Sequence, residues 1–428
     1  MKRTPTRLRL PAGLVALRER NFVLYVVGQF TSQLGSWIEM TAVSWILYEM
    51  TNSPLLLGLS GLFRAAPMIM LALFGGAIAD RVPRRLLLLL TESTMMIASL
   101  IMGLLAATDQ LQFWHLYLLS VVSGTLSAFS VPSRHALFAG LVPRSSMQSA
   151  VTFNSVAVRS GGFIGPSIAG LALAFGGYSL PFFLNAVSFL GMLLALVTMR
   201  LPRSKADATL PRSSLRRGMT EGVEFVWRSP MLKVALGLEI ATGLFGHNSA
   251  LITILARDVL GAGPEGLGLL LSAIGAGAFL GMGLLVAFNV ERHGRLILII
   301  GAVYTILWAA VALSPWLWLS VILLFALGTA DGVWSVMRNT LAQLVVTDAL
   351  RGRVMSVVMM VTRGSAQLGR VQSGLLVGLI GAPAAVLVGA VIIGAAVLRS
   401  WQVGMSDLSG KHAAPVSDND VVDPEAVS

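Results

Sequence analysis

Long apolar runs alternate with short polar breaks along nearly the whole chain. A helix of about twenty apolar residues spans a bilayer. On that measure the pattern predicts twelve helices, near 22–48, 55–79, 86–107, 113–135, 147–173, 178–200, 232–257, 267–289, 295–313, 317–341, 353–379 and 383–401. Several breaks are very short: Thr51-Asn52-Ser53, Gly176-Gly177, Ser314-Pro315-Trp316 and Gly381-Ala382. Turns that tight make consecutive helices antiparallel neighbours. A polar, basic stretch at 201–230 divides the helices six and six. Its later part, from Glu221 to Ser229, reads as a short amphipathic helix on the membrane surface, stopped by Pro230. The predicted fold is an all-α membrane protein with twelve transmembrane helices in two six-helix bundles. Its parts are an N-terminal segment (1–21), a first bundle (22–200), a linker (201–230), a second bundle (231–403) and a polar, acidic tail (404–428) expected to be disordered.

Composition supports the membrane reading. Of 428 residues, 55% are hydrophobic and 12% charged, where a soluble chain carries about a quarter charged residues. The net charge of +11 would suit a nucleic-acid partner, but the placement of the basic residues argues otherwise. Lys2 to Arg20, Arg81, Arg84, Arg85, Arg144, Arg200 to Arg228, Arg292, Arg295, Arg351, Arg353, Arg399 and Lys411 all fall on one side of the predicted spans. The opposite side holds Arg257 and almost nothing else basic. Positive-inside bias therefore places both termini and the linker in the cytoplasm of a multi-pass plasma-membrane protein. No nucleic-acid partner is expected. Residues 1–21 lack a cleavable h-region, so the first apolar run is expected to be retained. Cysteine is absent, which excludes disulfides, thiolate metal sites and thiol nucleophiles.

The densest charge lies in the loop Gly76-Ala-Ile-Ala-Asp80-Arg81-Val-Pro-Arg84-Arg85. A charged side chain at a helix centre in lipid costs roughly 2.5–3.5 kcal/mol, so this is a loop at a membrane face. A degenerate copy, Glu291-Arg292-His293-Gly294-Arg295, follows in the second half. Arg134 and Arg159 are 25 residues apart, and so are Arg338 and Arg363, each pair on the fourth and fifth helices of its half. The chain reads as an internal duplication, as transporters often are.

Ionisable residues inside spans are functional by default. Glu39 and Arg64 fall near mid-membrane on adjacent antiparallel helices, where an ion pair or a proton-binding site would form. Asp331 and Arg338 share one face of the tenth predicted helix, and Glu239 sits shallower, near Lys233. Arg159 and Arg363 are deep and lack a sequence-local partner, so each must face protein or water. Gln33 and Asn154 add polar positions of the kind that line a cavity or bond between helices. These eight residues, without Glu239, are the candidate coupling and substrate positions. Asp80, Arg81, Arg84, Arg85, Glu291, Arg292 and Arg295 form the candidate gating loops. Gly161, Gly165, Pro166 and Gly170 in the fifth helix permit close packing and a bend.

Other chemistry is not encoded. The stretch from Gly404 to Gly410-Lys411 is one residue too long for a phosphate loop and continues with His412. His-Glu-x-x-His, Gly-x-Ser-x-Gly and clustered metal ligands are missing, so neither catalytic residues nor a metal nor a cofactor is expected. The glycines from Gly275 to Gly283 lie inside an apolar helix and suit helix packing rather than a dinucleotide.

The loop Gly76 to Arg85, with Pro83 where glycine is usual, resembles the signature between helices two and three of the major facilitator superfamily. Gly161-x-x-x-Gly165-Pro166-x-x-Ala169-Gly170 is similar to its antiporter-associated motif. A closer resemblance is to the transmembrane secretion effectors, a branch that includes enterobactin-exporter-like proteins. It rests on Pro132-Ser133-Arg134-His135-Ala136, Leu141-Val142-Pro143, Phe183 to Phe189 and the stretch Glu221 to Pro230. The resemblance implies the major facilitator fold and alternating access, with Asp80 facing a helix N-terminus as a cytoplasmic latch. It also implies proton-coupled export of a small amphipathic molecule such as a siderophore or drug, by a monomer whose partners are lipid, substrate and protons. Uptake by symport or facilitated diffusion, and a non-transporting scaffold or receptor, are the alternatives. So many charges within the spans weigh against a scaffold.

Overall fold

The computed structural model describes residues 16–79, 82–143, 146–200, 215–287, 293–346 and 350–402. No strand occurs among them; they form helices joined by short turns. The first six are α1 (Arg20–Thr51), α2 (Pro54–Ala79), α3 (Arg84–Ala107), α4 (Phe113–Ala139), α5 (Met147–Gly176) and α6 (Ser179–Thr198). A short helix, α7 (Leu215–Arg228), precedes α8 (Pro230–Phe245) and α9 (Ser249–Ile254), which runs into a π-turn at Leu255–Val259. Then come α10 (Pro264–Ala287), α11 (His293–Ala312), α12 (Leu317–Val345), α13 (Arg351–Ile380) and α14 (Ala382–Gln402).

Ten segments among the described residues are long and apolar enough to cross a membrane, the stretch Pro230–Val259 counting as one. The long helices α1 and α13 fall outside that set. Neutral polar residues such as Asn21, Gln29, Ser32, Gln33 and Ser36 lower the hydropathy of the first, and Arg351, Arg353, Arg363 and Arg370 with Gln367 and Gln372 that of the second. Large apolar side chains point outward all along the helices, as with Leu194 at 63% and Val391 at 71% exposure. Such a surface suits lipid and would be unusual in water.

The turns explain the breaks in the pattern. Asn52 and Asp109 adopt positive φ between α1 and α2 and between α3 and α4, a conformation Asn and Asp tolerate better than most residues. The α5 and α13 helices, fifth in their halves, both stop at a positive-φ glycine, Gly177 and Gly381. Ser229 caps α8 by accepting from the Leu232 amide, with Pro230 in the first helical position.

Internal contacts group the chain into two compact units. One comprises Met1–Ile46 with Phe63–Thr209, the other Leu47–Leu62 with Leu210–Ser428. The tip joining α1 to α2 thus belongs to the second unit. Inside each unit the second and fourth long helices of that half cross on glycine. A methyl on Gly124 of α4 would lie 2.0 Å from the Arg64 carbonyl oxygen of α2. In the second unit α10 and α12 interlock reciprocally. Methyls on Gly277 and Gly281 would strike the Phe325 and Thr329 carbonyls at 2.0 and 2.1 Å, and one on Gly328 would meet Ile274 at 2.1 Å. Close backbone approach of this kind is how helices associate in lipid, where no hydrophobic force separates them from the solvent.

The segment predicted as a single helix at 232–257 is interrupted at Gly246–Asn248. Exposed backbone is costly at membrane depth unless protein satisfies it, and here it is satisfied. Tyr304 Oη accepts from the His247 amide at 3.1 Å, and Trp308 Nε1 donates to the Phe245 carbonyl at 3.1 Å. Asn248 Oδ1 caps α9 by accepting from Leu251, while its Nδ2 donates to Ser373 Oγ at 2.8 Å.

Candidate functional site

Glu39 is the centre of the first unit's polar interior. It projects from α1 and is 6% exposed. Ser99 of α3 donates to Glu39 Oε2 at 2.5 Å, and Asn185 Nδ2 of α6 donates to the same oxygen at 2.6 Å. Asn185 also donates to Ser99 Oγ at 2.9 Å, and both partners are fully buried. Gly35 makes room for this contact, since a methyl there would overlap Ser188 and Asn185. Arg64 of α2 is close enough to act electrostatically on Glu39, but no ion pair joins them, which corrects the pairing expected from their depth. Two neutral donors occupy the carboxylate instead.

A second buried acid in the same unit is held differently. Glu92 of α3 forms an ion pair with Arg134 of α4, and both are largely buried. Arg134 also donates to Gln29 Oε1 and, at 3.3 Å, to Ser32 Oγ, both on α1. Ser32 donates in turn to Glu92 at 3.1 Å. Three helices are thus joined through one guanidinium.

The second unit repeats the arrangement at the equivalent arginine. Arg338 of α12 pairs with Glu239 of α8, and Trp334 Nε1 donates to the same carboxylate oxygen at 3.2 Å. The sequence pattern puts Arg338 on one face with Asp331, and Glu239 near Lys233; the structure pairs Arg338 and Glu239 with each other. In both sockets the arginine Nε is buried without a hydrogen-bond partner. The first helix of each half supplies a partner to the socket: the amide Gln29 in the first, the acid Glu239 in the second. Asp331 interacts electrostatically with Tyr304, whose hydroxyl lies 2.9 Å from His247 Nδ1 at the helix break.

A further cluster lies at the tip that the second unit includes. Tyr48 donates to Asp258, and Arg257 donates to the Tyr48 carbonyl at 3.1 Å and to Asn52 Oδ1 at 2.6 Å. The Arg257 guanidinium also lies 5.0 Å from the centre of the Tyr48 ring. The π-turn at Leu255–Val259 carries both charged residues.

Comparison with known proteins fits these observations. A family model described as transmembrane secretion effector matches residues 12–425. The chain belongs to the transmembrane secretion effector family. It is therefore a multi-pass membrane transporter of the major facilitator superfamily. An MFS-type transporter, YfiS of Bacillus subtilis, is 26% identical over 92% of this chain and 94% of its own. The multidrug efflux pump Tap of Mycolicibacterium fortuitum is 26% identical, covering 82% and 88% of the two chains. The enterobactin exporter EntS of Shigella boydii is 28% identical, covering 77% and 78%. Among solved structures, a D-xylose-proton symporter superposes with a TM-score of 0.72 at 12% identity, over 92% of this chain and 99% of that one. That last likeness concerns the fold alone.

In this secretion effector the remaining candidate residues scatter. Arg159 and Arg363 are exposed, without a hydrogen bond or ion pair among the described residues. Asn154 is half-buried with its Oδ1 enclosed and unpartnered, and Gln33 is half-buried where Gly161 of α5 meets α1. Gly165 sits against Trp37 and Leu34 of α1, while Pro166 and Gly170 are buried in α5. The fifth-helix motif therefore brings α5 close to α1. Arg84 and Arg85 donate to the Ala136 and Val197 carbonyls at 3.1 and 2.7 Å, and Arg295 is exposed. Asp80, Arg81, Glu291 and Arg292 lie outside the described residues.

Sequence reasoning passes over Glu92, Tyr48 and Asp258 as site residues. Glu92 carries a usable signal, an acid within an otherwise apolar run. Its partner lies 42 residues away and becomes visible only when α3 and α4 pack.

Proposed function

We propose that this transporter exports a small amphipathic molecule, siderophore- or drug-like, in exchange for protons. It does so by alternating access between two six-helix bundles of twelve spans in all, as a monomer in the bacterial plasma membrane with both termini cytoplasmic. The names of Tap and EntS support this cargo class, and the basic bias of one set of loops supports the orientation. The loop carrying Asp80 and Arg81 serves as a cytoplasmic latch in this reading, Glu291 and Arg292 marking its degenerate copy.

One observation carries the coupling: a carboxylate inside a membrane span held by neutral donors alone. An ionised carboxylate only accepts hydrogen bonds, whereas a carboxylic acid must also donate one. Proton uptake by Glu39 therefore changes what Ser99 and Asn185 can do. Ser99 can turn to accept, but Asn185 Nδ2 already donates to Ser99 Oγ and to the carboxylate oxygen. A proton on Oε2 therefore forces the contacts joining α1, α3 and α6 to rearrange, whereas one on Oε1 calls for an acceptor of its own. Arg64 supplies a positive charge near the carboxyl group without touching it.

The test is substrate-driven proton flux in reconstituted vesicles carrying a pH dye, with ethidium and a catecholate siderophore as probes. The wild type is expected to move protons against the direction of the probe, and Glu39→Gln to lose that flux while reaching the membrane in normal amount. Wild-type flux in Glu39→Gln removes Glu39 from the coupling role. Flux in the same direction as the probe makes the protein a symporter.

A further inference from the structure

The short helix α7 is fixed to the second unit by one face and leaves another uncovered. Phe225 and Val226 are buried in a core with Leu232, Leu236, Val354 and Val358. Glu221 forms an ion pair with Arg353 at the start of α13. Away from that core, Val223 is 39% and Trp227 67% exposed, four residues apart and so on one side of the helix. Glu224 and Arg228 lie beside them and pair with each other at 2.6 Å, largely in the open.

Trp227 has a second neighbour. Lys233, exposed in the first turn of the membrane-crossing segment Pro230–Val259, places its ammonium 5.9 Å from the centre of the Trp227 ring. Among the described residues Lys233 has no carboxylate partner, and the Trp227 indole N–H has no hydrogen-bond acceptor. An exposed tryptophan beside the start of a spanning helix sits where aromatic residues settle, at headgroup depth. It presents an indole N–H next to an unneutralised ammonium, two donors of the kind a lipid phosphate accepts from. The sequence before α8 adds positive charge through Arg203, Lys205, Arg212, Arg216 and Arg217.

We propose that Trp227 and Lys233, on the uncovered side of α7, form a seat for the phosphate headgroup of an anionic phospholipid. The occupant is a membrane lipid because the two donors adjoin apolar surface, Val223 and the indole ring itself, that an acyl chain covers and a dissolved anion does not. The Glu224–Arg228 pair leaves the positive charge with Lys233. Because α7 is tied to α13 and packed on α8, the seat forms part of the folded unit rather than a loose tail.

Purified full-length protein in detergent, titrated with phosphatidylglycerol, phosphatidylcholine or inorganic phosphate and followed by thermal unfolding, tests this. Phosphatidylglycerol is expected to raise the melting temperature at lower lipid concentration than phosphatidylcholine. Lys233→Gln is expected to shift that titration about fivefold toward weaker binding, the contribution of one basic residue near an anionic surface. Lys233→Arg should restore it, and Trp227→Leu should weaken it without changing the melting temperature measured free of lipid. Unchanged phosphatidylglycerol binding in both Lys233→Gln and Trp227→Leu overturns the proposal. Stabilisation by inorganic phosphate equal to that by phosphatidylglycerol overturns the lipid assignment.

Discussion

Among the described residues three acids lie buried within the helices, and the molecule treats them in two ways. Glu92 and Glu239 each face a guanidinium from the fourth helix of their half, whereas Glu39 faces a hydroxyl and an amide. A carboxylate in contact with arginine in a dry interior works as a fastener, because removing either partner strands the other. Glu39 has a guanidinium only at a distance, that of Arg64, and no contact with it to lose. In the coupling proposed above its charge is the one that changes during a cycle, and the difference in partners separates that acid from the two fasteners without reference to depth.

The largest effect comes from removing the cation of a fastener. Arg338→Ala leaves Glu239 buried with only Trp334 as donor, and Arg134→Ala leaves Glu92 with Ser32. Breaking a buried pair in this way costs about 3–5 kcal/mol, to be read as a lower melting temperature in detergent and reduced yield of inserted protein. An unaltered melting curve for both variants would show that the pairs fasten nothing.

Next in size is Asn185→Ala. It removes one donor from Glu39 and another from Ser99, and takes away the acceptor used by Ser188. Leaving buried polar groups unpartnered costs about 1–3 kcal/mol, less than loss of an arginine because no full charge loses its counterion. Thermal unfolding of Asn185→Ala beside Arg134→Ala ranks the two directly, and the reverse order would erase the distinction drawn between fastener and cage.

Much of this contrast is legible in the order of the amino acids. Glu39, Arg64 and Arg338 stand out because charge within an apolar run is rare, and the equal spacing of Arg134 to Arg159 and Arg338 to Arg363 exposes the duplication. The partners are harder to read. Glu92 lies eight residues into α3 and Arg134 five before the end of α4, so antiparallel packing brings them to the same level. Glu239 and Arg338 meet by the same geometry, nine residues into α8 and seven before the end of α12. Pairing of that kind depends on which helices touch, which hydropathy does not encode. The break at Gly246–Asn248 is hidden for a related reason: the apolar run continues through it, and the groups that make it tolerable, Tyr304, Trp308 and Ser373, lie on α11 and α13.

A smaller effect is expected when a whole fastener is exchanged for apolar groups. The double substitution Glu92→Leu with Arg134→Met removes both charges at once, and such replacements are typically neutral or stabilising by about 1–4 kcal/mol. Gln29 and Ser32 then lose a partner, which offsets part of the gain, so the double variant should melt within a few degrees of the wild type. If it melts as low as Arg134→Ala alone, the guanidinium holds α1 through Gln29 and Ser32 more than it holds Glu92.

The smallest change in stability belongs to Glu39→Gln. The amide oxygen still accepts from Ser99 and Asn185, and a buried charge without a contacting counterion is removed, while the new NH2 group brings donors that the cage was not built to satisfy. These opposed terms leave the fold within about 1 kcal/mol of the wild type, since a neutral hydrogen bond contributes about that much. Glu92→Gln should behave otherwise, because it leaves Arg134 buried with neutral partners only. Measured together, equal melting temperatures for Glu39→Gln and the wild type, with a clear loss for Glu92→Gln, would separate the two kinds of acid by stability alone. A large loss for Glu39→Gln would mean that its charge helps hold the helices together, and that Arg64 acts on it across the gap as a counterion in all but contact.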